Sequence, residues 1–593
     1  MEWAFCQEYP IEIDINIMYK ISDRNAFVLY LVVLVALCAI LYFPHLARIP
    51  FFDKGEPREA IVVQEIFFHG DWLFPLKWGE EVPSKPPLFH WFAALTSHAW
   101  GRIDEATVRF PSALFATLGV LILYFFGRRL FDPKVGLYSA VILATSVVYQ
   151  SQAIVARVDM TLAFFLTATL VVFYLLYRGF LTGPFWTYGF YLLLGVSVLA
   201  KGPVGLILPG MIIGCFLAVK KRWDFLSRLC FHKGVVLTLV LAISWYAIAL
   251  WKGGEDFFNR QIIHENLARF FVSGEGGTGH QKPIYYYFSY LILEGLPWSF
   301  FLPFVLVDCF KKKVFSQDQN LFLMLWAGVI FFFLSLSAGK RAVYLLPLYA
   351  PLSLLIGSWL GQTANGKIYS VGLKTVGWLF LIVGIILFLP VGIFFAGKDF
   401  SWLLSYIGVM LRPEDQAQFS IVQDALRRAG WVFPFFLFLS AFLWLFTSRY
   451  LFVGNARTAT ALLTILSVIT SLVVQGMLIS SIAEARSYKS FMAEVNRRVP
   501  RDEDLNIYGE GWDYTSAVFY RGERVSIVKG NSHFLQEKLG ESDSYCVMSE
   551  REWEKIVASG TLTFSPVLRS RGTGPEGQDL IVLVRGMKSG KGK

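Results

Sequence analysis

AFVLYLVVLVALCAILYFP (residues 26–44) is followed six residues later by FFDKGEPREAIVVQEIFFHG (residues 51–70). The first stretch is long and apolar enough to cross the roughly 30 Å hydrocarbon layer of a membrane as a helix. The second places Asp53, Glu56, Arg58 and Glu59 close together. Because carboxylates are costly at membrane depth, we expect these acids to face a cavity, a partner or the membrane interface.

Apolar runs separated by short polar loops continue along most of the 593 residues. The chain is 55% hydrophobic and 17% aromatic, an excess that a soluble protein would not need. About thirteen segments qualify as spans, at 26–44, 106–127, 135–152, 159–177, 186–201, 203–219, 234–251, 284–307, 320–337, 342–361, 373–396, 430–447 and 457–479. The sequence therefore predicts a polytopic α-helical membrane protein.

The net charge of +10 comes largely from Lys and Arg in short loops. Loops rich in these residues stay in the cytoplasm, so the pattern predicts a cytoplasmic N-terminus and an external C-terminus. The outer segments are then 45–105, 252–283, 397–429 and the tail from about 480. The sequence has no nucleic-acid-binding signature and no Gly-rich phosphate loop. We therefore predict neither a nucleic acid partner nor a nucleotide cofactor.

Composition changes near residue 485. NIYGEGWDYTSAVFYRGERVSIVKG (residues 506–530) alternates apolar and polar positions between glycines, a pattern typical of short strands and turns. We therefore divide the chain into a transmembrane domain, 1–484, and a small soluble α/β domain, 485–593. The outer loop 45–105 would add juxtamembrane helices to the first domain.

The outer loop 45–105 carries the first candidate site residues. Residues 56–69 read as an amphipathic helix with an acidic start, ended by Gly70. Asp53 and Glu56 lie at its start and could act as general bases. Alternatively, they only cap the helix. Lys85 lies on a turn stiffened by two prolines and could bind a phosphate at the level of the lipid headgroups. Alternatively, it is a snorkelling lysine whose ammonium extends to the membrane interface.

More charges lie at the predicted outer ends of later spans. Each alone could cap a helix or anchor it in the interface. Cations suit a phosphate, whereas carboxylates suit sugar hydroxyls or general-base work. Together they predict a phosphate-binding group with adjacent acids, made of Arg58, Lys85, Lys201, Arg269, Lys340, Arg341 and Tyr344 beside Asp53, Glu56 and Asp159.

His264 and Glu265 lie in the loop 252–283 and could ligate a divalent metal such as Zn²⁺, Mg²⁺ or Mn²⁺. Metal sites commonly need three or more protein ligands, so a solvated loop is the alternative interpretation.

The motifs occur in an order that resembles a known family. GEPREA, GDW, KPPLFHW, ARVDM, KGPVGLILP, HEN, LPW and GKR follow one another between about residues 50 and 355. This series is similar to that of the bacterial lipid A aminoarabinose transferases (ArnT-like), within the protein-mannosyltransferase-related GT-C superfamily. The set is specific, although no single motif is.

The resemblance implies a thirteen-span inverting glycosyltransferase of the bacterial inner membrane that uses an undecaprenyl-phosphate-linked sugar. It implies transfer to lipid A or another acceptor at the periplasmic face, by a protein that we expect to be a monomer among membrane lipids. The family's paired acids match Gly55 and Glu56, so one acid is replaced by glycine, for which Asp53 could compensate. Its other functional positions match Lys85, Asp159, His264 and Arg269, and the acid before its KP motif is Ser84 here.

Two rival functions remain at this point. Protein O-glycosylation would use the same donor class. A lipid or sugar-lipid transporter would be non-enzymatic, but such proteins commonly show repeated halves and charges at mid-depth. The sequence shows no internal repeat, and its charges gather on one face. Catalysis is therefore the favoured prediction.

Overall fold

The computed structural model describes residues 15–78, 81–268, 282–311, 317–364, 371–395, 413–510, 512–530, 544–558, 565–572, 574 and 581–585. Within this part, nine helices are long and apolar enough to cross a membrane. A tenth span results if the segments Tyr286–Glu294 and Trp298–Phe310, bent by 112°, count as one. A five-stranded sheet follows near the C-terminus.

The helices of the first half are α1 (Ile15–Tyr42), α2 (Gly55–His69), α3 (Leu88–Trp100), α4 (Glu105–Leu130), α5 (Pro133–Thr145), α6 (Val147–Ala153), α7 (Val158–Tyr177), α8 (Pro184–Lys201), α9 (Val204–Val219), α10 (Trp223–Cys230) and α11 (Gly234–Phe257). A π-helix, Phe258–Ala268, continues α11. The next helices are α12 (Tyr286–Glu294), a 3₁₀ turn (Trp298–Phe301), α13 (Leu302–Lys311), α14 (Asp318–Leu336), a 3₁₀ segment (Ala342–Leu348), α15 (Tyr349–Ala364), α16 (Val371–Phe395), α17 (Pro413–Arg428), α18 (Val432–Val453) and α19 (Ala456–Val473). A second π-helix, Val474–Ile479, leads into α20 (Ser480–Arg486) and α21 (Lys489–Arg498).

Each of the thirteen predicted segments contains helix, and the polytopic helical class is confirmed. The number thirteen is not confirmed, because only nine or ten spans of the described chain pass by length and composition. The predicted span 135–152 is divided at Ser146 into α5 and α6. α9 is apolar but has only 16 residues.

α4 and α5 pack at very close range. A Cβ on Gly136 would lie 2.7 Å from the carbonyl oxygen of Tyr124, and one on Gly127 would lie 2.9 Å from the Cα of Gly136. Small residues allow membrane helices to approach in this way, so that backbone contacts replace side-chain contacts. The close pair, with α7 packed on α4, fixes the framework that carries the candidate site.

The loop between α1 and α4 forms two helices, α2 and α3, that are too short to qualify as spans. Asp53 Oδ1 accepts hydrogen bonds from the backbone N–H groups of Gly55 (2.9 Å) and Glu56 (3.0 Å), which satisfies the first turn of α2. Gly70 ends α2 in the left-handed conformation, at φ 71°. The helix predicted at residues 56–69 is therefore present.

The C-terminal sheet contains β1 (Leu505–Tyr508), β2 (Val525–Val528), β3 (Tyr545–Ser549), β4 (Ser565–Arg569) and β5 (Ile581–Arg585). The strand order is β2-β1-β3-β5-β4. β1 pairs in parallel with β2 and β3, whereas β5 pairs antiparallel with β3 and β4. α22 (Thr515–Arg521) connects β1 to β2, and α23 (Glu550–Ala558) follows β3 directly. An α/β arrangement is thus present, while the boundary at residue 485 stays a prediction.

The sheet region packs against α2 through α22. Tyr520 accepts a hydrogen bond from the Phe51 N–H (2.8 Å) and donates one to Glu105 (3.0 Å). Gln64 donates to the carbonyl of Phe519 (2.9 Å). Tyr520 therefore joins the C-terminal region to both the segment before α2 and the start of α4.

We expect Tyr520→Phe to reduce the stability of this junction. The change leaves a backbone N–H and a buried carboxylate with one partner fewer, which commonly costs about 1–3 kcal/mol. Chemical unfolding in detergent would measure the loss, with Tyr285→Phe at an exposed position as the control. An unfolding free energy equal in both variants would contradict the assigned role.

Candidate active site

A cavity of about 300 Å³ brings together residues that the sequence analysis selected from five separate segments. We name it the lysine cavity. Its charged and polar wall contains Lys85, Asp159, Lys201, Glu265 and Tyr344. The rest of the wall is mostly apolar and includes Leu162, Val204, Ile207, Leu208, Phe333, Leu334, Val343 and Pro347. A polar group at one side of an apolar cleft is the arrangement that orients an amphiphilic ligand.

The first charged pair of the lysine cavity is Lys201 with Asp159. Lys201 Nζ donates to Asp159 Oδ1, and it also lies 4.3 Å from the ring centroid of Tyr344. Asp159 is in the first turn of α7, and Lys201 is in the last turn of α8. Carboxylates are favoured at helix N-termini and cations at C-termini, so both residues suit their positions. Three predicted residues from distant motifs therefore form one contact group.

The second charged pair is Lys85 with Glu265. Lys85 Nζ donates to Glu265 Oε2, and both side chains are mostly buried. Glu59 interacts electrostatically with Lys85, and its Oε2 lies 2.7 Å from His90 Nε2. Burial raises the pKa of Glu59, but the hydrogen bond with His90 and the charges of His90, Lys77 and Lys85 outweigh it and lower this pKa to about 2. Glu59 therefore stays negatively charged, and this charge stabilises the Lys85 ammonium.

Glu56 has a different environment. Its two oxygens accept from Arg109 Nε (2.7 Å) and Nη2 (2.8 Å), and Oε1 also accepts from the Ala156 N–H (2.8 Å). The side chains of Glu56 and Arg109 are almost fully buried, and Arg109 Nη1 donates to the carbonyl of Leu46 (2.9 Å). Glu56 therefore joins three segments of the chain. Its predicted role as a base is untested, and the geometry gives it a structural partner.

Asp53 pairs with Arg157, and Gly55 makes this possible. Arg157 Nη2 donates to Asp53 Oδ2 (2.6 Å). A Cβ on Gly55 would lie only 2.1 Å from the same nitrogen, so the guanidinium occupies the space that a side chain would need. Burial raises the pKa of Asp53, but the Arg157 charge and the backbone N–H donors lower it overall. The glycine that replaces the family's first acid therefore allows a different carboxylate–cation pair at this place.

We expect Gly55→Ala to lower activity roughly 10- to 100-fold, since small displacements of site groups have effects of this size. The added methyl group would displace the Arg157 guanidinium and release Asp53. Initial rates of the predicted sugar transfer would be compared between this variant and Gly189→Ala, which adds a methyl group in open space. In a double-mutant cycle, Gly55→Ala should have little further effect in an Arg157→Ala background. Additive losses would contradict this coupling.

The remaining predicted cations lie elsewhere or outside the described residues. Arg58 is half-exposed and pairs with Asp513 of the sheet region (3.2 Å). Lys340 is buried and donates to the carbonyl of Ser337, and burial lowers its pKa. Arg341 is half-buried directly before Tyr344's 3₁₀ segment and is not part of the lysine cavity wall. Arg269 lies outside the described residues. The structure therefore brings Lys85 and Lys201 to the cavity but not Arg58 or Arg341.

The predicted metal ligands do not form a metal centre within the described residues. His264 is exposed and lies outside the cavity wall, whereas Glu265 pairs with Lys85. No group of three or more His, Cys, Asp or Glu side chains suited to a metal occurs in the described ranges. The metal stays a prediction, and we derive no chemical step from it.

Known proteins resemble parts of this chain in sequence. Residues 84–247 match the family model of dolichyl-phosphate-mannose-protein mannosyltransferases. An undecaprenyl phosphate-alpha-4-amino-4-deoxy-L-arabinose arabinosyl transferase of Yersinia enterocolitica is 28% identical over 385 residues, 64% of this chain and 66% of that protein. One from Pseudomonas aeruginosa is 30% identical over 328 residues, 54% and 58% respectively. The chain thus matches less than two thirds of the length of these relatives.

Solved structures show the same architecture. The crystal structure of ArnT from Cupriavidus metallidurans bound to undecaprenyl phosphate superposes with a TM-score of 0.74 at 19% identity, over 95% of this chain and 99% of that one. The oligosaccharyltransferase of Archaeoglobus fulgidus superposes with a TM-score of 0.50 at 12% identity, over 92% and 69%. These likenesses define the protein as a polytopic membrane protein of the GT-C fold. The similarity to the arabinosyl transferases and to the ArnT structure agrees with the resemblance predicted from the motifs.

Proposed function

We propose that the protein is an inverting glycosyltransferase that moves a sugar from an undecaprenyl-phosphate-linked donor to lipid A or a related acceptor. The observation that carries the proposal is the lysine cavity, in which Lys85 and Lys201 lie beside two carboxylates in a mostly apolar cleft. Relatives named as undecaprenyl phosphate-aminoarabinose transferases support the donor class.

The proposed donor fits the cavity by its two chemical halves. The phosphate would exchange partners with the carboxylates that now pair with Lys85 and Lys201, while the apolar residues of α7, α9 and α14 would contact the prenyl chain. The bond between the anomeric carbon and the phosphate oxygen breaks, and the electron pair leaves with the phosphate. Cations held in place before the reaction stabilise this developing charge. The acceptor oxygen attacks from the opposite face, which inverts the anomeric centre.

Asp159 is the carboxylate to which we assign activation or positioning of the acceptor. It lines the lysine cavity, whereas both oxygens of Glu56 are engaged by Arg109. For a hydroxyl acceptor, Asp159 takes the proton as general base. For a phosphate acceptor, the nucleophile is already anionic, and Asp159 positions the sugar or the acceptor. Asp53 is held beside Arg157 and does not line the lysine cavity, so its catalytic role stays a prediction.

The proposal also includes location. Basic loops indicate a cytoplasmic N-terminus, which places the α2–α3 loop and the C-terminal sheet on the periplasmic side of a bacterial inner membrane. We further propose that the protein acts as a monomer.

The test is transfer by purified protein from undecaprenyl-phosphate-linked sugars, with lipid A and an acceptor protein offered separately. The proposal expects glycosylated lipid A. Transfer to the acceptor protein but not to lipid A would contradict the proposed acceptor and support the proposed donor. No transfer from any lipid-linked sugar, combined with movement of that lipid across vesicles, would favour a transporter.

A further inference from the structure

The lysine cavity contains one buried polar side chain to which the reaction described above gives no role. Gln261 lines the cavity and is only 2% exposed. Its Oε1 has no hydrogen-bond partner in the described part of the chain. Buried polar side chains are nearly always paired, so an unpaired acceptor in the wall of a cavity indicates a position that a ligand completes.

The backbone that carries Gln261 is a second, independent sign. Residues Phe258–Ala268 form a π-helix, a conformation that is rare and is frequent at functional sites. Because its hydrogen bonds join residues five positions apart, side chains four and five positions apart lie on one face. Gln261, Glu265 and Asn266 have this spacing, and all three line the lysine cavity. Asn266 Nδ2 also donates to the carbonyl of Gln261 (2.5 Å), which holds this turn of the π-helix in place.

The neighbours of Gln261 place it between the two cations. Glu265, one turn further along the π-helix, pairs with Lys85. On the other side, the Gln261 side chain interacts with Tyr246 of α11. A Cβ on Gly202, the residue after Lys201, would lie 2.9 Å from the Tyr246 hydroxyl oxygen and 3.3 Å from Asn266 Oδ1. A phosphate bound by Lys85 and Lys201 would therefore lie close to the Gln261 amide.

The unpaired atom restricts which part of a donor it can bind. An amide oxygen accepts hydrogen bonds and cannot donate them. In an undecaprenyl-phosphate-linked sugar the phosphate is an ionised diester without a hydrogen, and the prenyl chain is a hydrocarbon. Only the hydroxyl or amino groups of the sugar can donate. The sugar is attached directly to the phosphate, which brings it within reach of Gln261.

We propose that Gln261 is a specificity-determining residue, which accepts a hydrogen bond from a hydroxyl or amino group of the transferred sugar. This assignment rests on the proposed function. Lys85 and Lys201 bind the phosphate that all such donors share, whereas Gln261 distinguishes one sugar from another. A neutral amide accepts from a hydroxyl and from an amine, but a carboxylate at the same place would favour an ammonium group, because that hydrogen bond is charge-assisted.

Two substitutions test this role. Gln261→Met keeps the length of the side chain and removes the amide, and Gln261→Glu replaces the amide with a carboxylate. Gln362→Met, at an exposed position of α15, is the matched control. Native mass spectrometry of purified protein would measure retention of undecaprenyl phosphate and of undecaprenyl phosphate-linked 4-amino-4-deoxy-L-arabinose. Transfer assays would compare kcat/KM for this donor and for its L-arabinose counterpart, which has a hydroxyl in place of the amine.

We expect Gln261→Met to lower retention of the sugar-linked lipid about tenfold, because a buried hydrogen bond to the sugar is lost. Retention of undecaprenyl phosphate should stay within twofold of wild type. Gln261→Glu should raise the ratio of kcat/KM for the amino sugar over the hydroxyl sugar about tenfold. The phosphate is the same in both donors, so its repulsion by the new carboxylate cancels in this ratio. A purely structural role would lower retention of both lipids equally and leave the ratio unchanged, and either result would overturn the inference.

The binding measurement needs no turnover, so it separates this inference from the proposed function. Selective loss of the sugar-linked lipid from Gln261→Met, in a protein that transfers no sugar, would support the sugar contact and contradict the glycosyltransferase. Sugar transfer with wild-type kcat/KM for both donors in Gln261→Met would support the enzyme and contradict the sugar contact. If Gln261→Met does not fold, Gln261→Asn withdraws the amide by one methylene group and tests the same selective loss.

Discussion

Lys85→Ala is expected to lower kcat for sugar transfer roughly 10²- to 10³-fold, the usual effect of removing one preorganised group that stabilises developing charge. Lys85 lines the lysine cavity and interacts electrostatically with Glu59. Its ammonium is positioned to neutralise the departing phosphate. The negative charge on the phosphate oxygen grows as the transition state forms, so the interaction is stronger there than with the bound substrate. The effect should therefore appear in kcat more strongly than in donor KM. Single-turnover assays with a lipid-linked sugar would measure it.

Two controls separate chemistry from folding. Lys252→Ala removes a half-exposed lysine that is not part of the lysine cavity, and it should keep full activity. The double variant Lys85→Ala with Glu265→Gln removes the carboxylate charge that would otherwise lose its partner. We expect this variant to fold but to stay inactive. Recovery of activity in it would mean that Lys85 only neutralises Glu265.

Glu56→Gln is expected to destabilise the fold by about 3–5 kcal/mol, because it leaves the buried Arg109 guanidinium without a counter-charge. Arg109 is 1% exposed, and Glu56 takes up two of its nitrogens at 2.7 and 2.8 Å. Glu56 also accepts the Ala156 N–H and hence holds the turn before α7. Chemical unfolding in detergent, followed by fluorescence, would measure the change.

The double variant Glu56→Leu with Arg109→Leu is the matched comparison. It removes both charges together, and such replacements are commonly near neutral for stability. We therefore expect it to be more stable than Glu56→Gln. Wild-type stability of Glu56→Gln together with lost activity would contradict the structural role and would support Glu56 as the catalytic base.

Much of the lysine cavity could be predicted from the sequence. Lys85, Asp159, Lys201 and Tyr344 are polar residues at the ends of apolar segments, and the positive-inside pattern placed those ends on one face. The structure brings these four into one cavity. The helical class followed from the apolar runs, whereas the number of spans did not, because short apolar helices and a bent pair give the same signal as full spans.

Other parts of the site had no signal of their own in the sequence. Arg109 stands within a predicted span, and nothing in the local pattern shows that it meets Glu56, 53 positions earlier. Arg157 fills the space left by Gly55, and an absent side chain carries no sequence pattern. In each case the missing information is a long-range pairing.

The most direct measurement is the mass spectrum of lipid A from cells with the intact gene, without it, and with Lys85→Ala at wild-type protein level. The account predicts a sugar adduct on lipid A in the first strain and its loss in the other two. The same adduct at equal intensity in all three strains would contradict it.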